Sequence, residues 1–160
     1  MTKRISKAID IFLDAINNGV LMKGSCTACA VGNLVAHGYN YEIPYHGVHD
    51  FDTPNAAWAK LFCTSEDGDQ AIRLRHLNDR DVQENIEATD FTWEELAKIE
   101  KAFETNTDIC FTDYHKHTKE EIRKDQIRGL EAVVQVMLDF DDCEEQVQEV
   151  FTSRLEVVEK

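Results

Sequence analysis

Residues 23–37 read Lys-Gly-Ser-Cys-Thr-Ala-Cys-Ala-Val-Gly-Asn-Leu-Val-Ala-His. One short stretch thus brings together an ammonium, two thiols, an amide and an imidazole. Three chemistries fit these residue types. The first is anion capture. Lys23, Gly24 and Ser25 precede an expected helix start, where N–H groups not used by the helix favour phosphate or carboxylate. The candidate ligand set is Lys23, Gly24, Ser25, Cys26, Thr27, Cys29, Asn33 and His37, and a nucleotide or other small anion is the ligand class. The stretch is not a P-loop, because the Gly-rich spacing is absent.

The second chemistry is that of thiols. A cysteine at a helix N-terminus has a lowered pKa, and Cys26-x-x-Cys29 has redox-motif spacing. No βαβ pattern surrounds it, however. Cys29 and His37 stand eight residues apart, about 12 Å along a helix, too far for a nucleophile–base pair. The third is zinc. Cys26, Cys29, His46 and His49 form a Cys-x-x-Cys followed by a His-x-x-His. The gap between the pairs is 16 residues, longer than the ~12 of a common finger. His115 and His117 are two further imidazoles in Asp113-Tyr114-His115-Lys116-His117.

Other sites fail on spacing. Asp139-Phe140-Asp141-Asp142-Cys143-Glu144 opens like a calcium loop. It lacks glycine at the sixth position, and its twelfth is Val150 rather than Glu. No Ser–His–Asp arrangement or dinucleotide fingerprint is visible. No enzymatic activity is read from the chain, since no acid–base constellation can be assembled from spacing.

The elements that would position these residues are helices. A helix over 26–37 places Val31, Leu34 and Val35 toward a core at about 100° per residue. Ala28, Gly32 and Ala36 form a groove of small side chains, and Cys26, Cys29, Asn33 and His37 share the remaining arc. That arc either lines a pocket or packs its cysteines as small hydrophobes against the first helix. Residues 3–18 carry Ile5, Ala8, Ile9, Phe12, Leu13 and Ile16 at helical spacing, and Gly19 stops the helix. Residues 56–63, with Trp58, Leu61 and Phe62, read as a short helix, and 70–77, apolar at Ala71, Ile72, Leu74 and Leu77, as helix or strand. Thr92 with Glu95, and Thr118 with Glu121, are capping boxes. The first opens a helix to about Glu104, with Phe91 placed to staple against Leu96. The second opens a helix carrying Ile122, Ile127, Leu130, Val133, Val134, Met137 and Leu138. A last helix over about 143–158 places Val147, Val150, Phe151, Leu155 and Val158 on one side. No segment alternates like a strand. The fold expected is all-α, an irregular bundle of about six helices in a single domain over 1–160. A minor β-hairpin near 39–51 is the one exception allowed. Residues 38–55 hold both prolines and three of four tyrosines, a long loop of the kind that carries function.

Composition sets the partners. The chain has 160 residues and a formal net charge of −14. Residues 1–40 carry Lys3, Arg4, Lys7 and Lys23 against Asp10 and Asp14, a surplus of +2, which leaves −16 on the remaining 120. So acidic a surface repels phosphate backbones and anionic membranes and excludes non-specific nucleic-acid binding. It suits solubility, a basic protein partner or mimicry of nucleic acid. Five cysteines, an odd number, and an N-terminus that does not read as a signal peptide predict reduced thiols in a cytoplasmic protein. Cys63 and Cys143 read as core. Wide apolar stripes on 119–138 and 143–158 allow a homodimer.

Lys-Gly-Ser-Cys-Thr-Ala-Cys-Ala-Val-Gly-Asn (23–33) and Phe-Thr-Trp-Glu-Glu-Leu-Ala-Lys-Ile-Glu-Lys-Ala-Phe-Glu (91–104) resemble segments of small uncharacterised bacteriophage and Bacteroidetes proteins. Cys29-Ala30-Val31-Gly32 is also similar to a Cys-Ala-Leu-Gly-Ala-Leu signature in other uncharacterised helical proteins. In those an Asn-Asp pair and an acidic-apolar helix follow, as Asn78-Asp79 and 93–104 do here. The resemblance spans about a third of the chain and implies context rather than mechanism. If the context is phage, it implies a host-interaction or counter-defence factor in the bacterial cytoplasm. The expected function is therefore a non-enzymatic binding protein that acts on a host protein through its acidic surface, with no cofactor. The alternative is a small-anion sponge or zinc protein built on 23–37 and the 46–49 histidines.

Overall fold

The structure is a computed structural model that describes residues 1–24, 29–37, 86–147, 149–151 and 154, with the side chains of 35–37 also outside the description. The helix expected at 56–63, the helix or strand at 70–77 and the hairpin near 39–51 lie outside the described residues. Within them the chain is all-α. The elements are α1 (Lys3–Asn17), α2 (Ala30–His37), α3 (Trp93–Asn106), a 3-10 turn (Phe111–Lys116) and α4 (Lys119–Phe140). An isolated bridge pairs Lys23 with Cys110 in parallel. Among the described residues no helix is long and apolar enough to cross a membrane.

α1 is amphipathic and buries Ile5, Ala8, Ile9, Phe12, Leu13 and Ile16. It stops at Gly19, which adopts φ +67°. The Gly19 and Val20 amides bond back to Ile16 O (3.1 Å) and Ala15 O (2.9 Å). This is a Schellman close, and its left-handed residue is least strained as glycine. α4 ends the same way: Asp142 takes φ +50°, and the Cys143 amide reaches Leu138 O at 2.9 Å. Residues 143–146 are not helical. The last helix, expected from 143, therefore begins at Val147, and it contributes Val150 and Phe151 to the core.

Both capping boxes form. The Glu95 amide donates to Thr92 Oγ1 (3.2 Å) while the Thr92 amide donates to Glu95 Oε2 (2.9 Å). The Glu121 amide donates to Thr118 Oγ1 (3.1 Å) and the Thr118 amide to Glu121 Oε2 (2.8 Å). α3 and α4 make the most extensive helix pair. They approach closely because Gly129 has no side chain: a Cβ there would overlap Thr107 Cγ2 and stand 3.0 Å from Phe103 Cδ2. The core joins α1 and the start of α2 to this pair through Phe12, Leu21, Val31, Leu96, Phe103, Leu130 and Met137.

Polar ties fix the connections. Arg4 donates to Glu95 Oε2 (2.8 Å), Glu95 Oε1 (3.0 Å), Asp141 and the Asp90 carbonyl (2.9 Å). Its guanidinium also lies 4.7 Å from the centroid of the Phe91 ring. One side chain thus pins α1 to the start of α3 and the end of α4. Asp125, a buried residue of α4, accepts from the Asp108 amide (2.9 Å) and the Ile109 amide (2.9 Å). That contact shapes the α3–α4 connection.

Candidate functional site

Lys23 and Gly24 lie against the C-terminal half of α3, and α2 packs on the same helix. Lys23 follows the α1 close, and its ammonium donates to Glu104 O (2.7 Å) and to the Thr107 carbonyl. Carbonyls of the last helical turn have no partner within the helix, and the negative end of the helix dipole favours a cation there. Lys23 therefore caps α3. Its own carbonyl accepts from the Phe111 amide at 3.0 Å, which holds the 3-10 turn against the same segment.

Gly24 takes φ +82°. A Cβ there would stand 2.6 Å from Cys110 Sγ, so glycine answers both the backbone conformation and the close approach. Its amide donates to Glu104 Oε1 at 3.2 Å. Burial raises the Glu104 pKa, against the opposing pull of the Gly24 N–H and the Lys23 charge.

Cys29 is fully buried and stands just before α2. Its Sγ accepts from the Gly32 amide at 3.3 Å, and its carbonyl accepts from the Asn33 amide at 3.0 Å. These are the contacts of an N-cap, made here by sulfur. The thiol pKa is raised well above its ordinary value. Burial is the largest cause, followed by the charge and hydrogen bond of Glu100, and the Gly32 N–H only partly offsets them. A helix N-terminus alone predicts a lowered value. Desolvation and a carboxylate neighbour outweigh it here, so this thiol is held protonated and unreactive.

Asn33 is also buried, at 3% exposure. Its Nδ2 donates to Val20 O (3.1 Å) and Cys29 O (2.9 Å). The amide ties the α1 close to the start of α2. Val31 and Leu34 are core, as the arc reading expects. His37 ends α2, with its side chain outside the description. Ser25, Cys26, Thr27, His46 and His49 lie outside the described residues. The structure thus brings Lys23, Gly24, Cys29 and Asn33 to one junction of α1, α2 and α3. Among the described residues no group of three or more His, Cys, Asp or Glu is placed to hold a metal.

Sequence reasoning missed Glu100 and Glu104, one turn apart on α3. A signal was available. Glu100 follows Leu96 by four and precedes Phe103 by three, which sets a carboxylate inside the apolar arc of α3. Cys110 was not singled out either, yet it pairs with Lys23 and is a partly buried free thiol.

A second surface is chemically different. Residues 139–149 carry Asp139, Asp141, Asp142, Glu144, Glu145 and Glu149, with no Lys or Arg among them. Asp141 is held by Arg4 and Thr2, and Arg4 keeps its pKa below the ordinary carboxylate value against a smaller burial effect. Glu145 meets the Met1 ammonium at 2.8 Å. Asp139, Asp142, Glu144 and Glu149 are exposed. An open groove nearby is lined by Gln135, Cys143, Glu144, Glu145, Gln146 and Val147.

No protein-family profile, curated protein or solved structure matches this chain.

Proposed function

We propose that this protein is a non-enzymatic binding factor that engages a basic protein partner through its acidic surface. One observation carries the reading. The described polar groups of 23–33 are engaged inside the fold, whereas residues 139–149 present carboxylates to solvent. The Lys23 ammonium and the Asn33 amide each tie a helix end to a neighbouring segment, and the Cys29 thiol caps the start of α2. A ligand at these atoms would have to displace those bonds. An acidic face, by contrast, attracts a basic partner at long range and rejects nucleic acid and anionic lipid. The sequence resemblance supplies the setting: a host protein in the bacterial cytoplasm, with a regulatory or counter-defence role.

Native mass spectrometry of the untagged protein, isolated from bacterial cells at low salt, tests this reading. The expected spectrum contains the apo chain together with a complex of the chain and a second, basic polypeptide. A retained zinc ion or nucleotide-sized adduct, lost in Cys29→Ala or Lys23→Met, would overturn it in favour of a small-ligand protein.

A further inference from the structure

We draw no further inference here: the strongest candidate, the cluster of Glu100 and Glu104 on α3 with the buried Cys29 thiol before α2, carries nothing because its groups are already engaged within the fold and a lone buried cysteine beside two carboxylates does not say what it would bind.

Discussion

Replacing Lys23 with Met separates the two roles this residue could have. The substitution keeps the aliphatic stem and removes the ammonium. The lost contacts are two charged hydrogen bonds, to the carbonyls of Glu104 and Thr107 at the end of α3. Such a bond contributes about 1.5–3 kcal/mol, and a cation at a helix C-terminus adds about 0.3–1 kcal/mol. Lys23 is only partly buried, so water recovers part of the loss. The net destabilisation expected is about 2 kcal/mol, a fall in Tm of roughly 4–8 °C for a chain of this size. Urea unfolding followed by far-UV circular dichroism measures it. Lys101→Met, at an exposed position of the same helix, is the control and should stay within about 0.5 kcal/mol. A Lys23→Met variant as stable as the control would refute the capping argument. If that variant had also lost affinity for inorganic phosphate or a nucleotide, the ammonium would belong to a ligand site instead.

Further outcomes follow from the same contacts. Gly129→Ala should destabilise by about 1–3 kcal/mol through overpacking of α3 on α4; an unchanged urea midpoint would show that Thr107 and Phe103 yield freely. Arg4→Met should cost about 2 kcal/mol at pH 7, since it strands Glu95 and Asp141. Burial pushes the Glu95 pKa up, but the bonds from Arg4 and the Thr92 amide outweigh it and hold the value below normal; the Asp141 pKa is lowered chiefly by Arg4. Groups with depressed folded pKa values stabilise above their unfolded values of about 4 and lose that contribution as pH falls through the folded ones. The Arg4→Met penalty should therefore shrink between pH 5 and pH 2 (roughly the carboxylate range), and a penalty constant over that window would contradict the network. Peptide mapping after iodoacetamide should find Cys110 alkylated in the native protein and Cys29 only in denaturant; equal native rates would mean that Cys29 is not sealed in the core.

Much of the fold could be read from sequence because its signals are local. Thr92 with Glu95 and Thr118 with Glu121 close their bonds within three residues, so the two capping boxes could be placed without knowing anything else. The α1 stripe and its stop at Gly19 follow from the helical period and from one residue tolerant of positive φ. The start of the last helix was less legible. Nothing in Asp139-Phe140-Asp141-Asp142 announces that Asp142 will adopt a left-handed conformation or that the helix will begin only at Val147. Tertiary ties were not legible at all. Arg4 meets Glu95 and Asp141 across 91 and 137 residues, and no spacing rule links them. The candidate site shows the same limit. Residue types at 23–37 suggested groups able to bind a ligand. Lys23 and Asn33, however, are engaged by backbone carbonyls, which every residue possesses and no sequence pattern marks. The Cys26-x-x-Cys29 pair looked activated from its place at the expected start of the 26–37 helix, whereas the thiol of Cys29 is buried. Its burial beside Glu100 depends on how α2 docks on α3, a packing event outside the reach of local reading.

On the function proposed above, the acidic face, and not the 23–37 junction, makes the biological contact. Its most direct test is a titration, by isothermal calorimetry at low and high salt, with the basic polypeptide expected to co-purify from bacterial cells. The wild type is compared with a variant carrying Asp142→Asn, Glu144→Gln and Glu149→Gln, three exposed positions whose replacements leave the core and the helix caps in place. This variant should bind at least about tenfold more weakly at low salt, a loss of about 1.4 kcal/mol, and the difference should narrow as salt screens the charges. Equal affinity of the two proteins at low salt, or a difference that does not respond to salt, would contradict it.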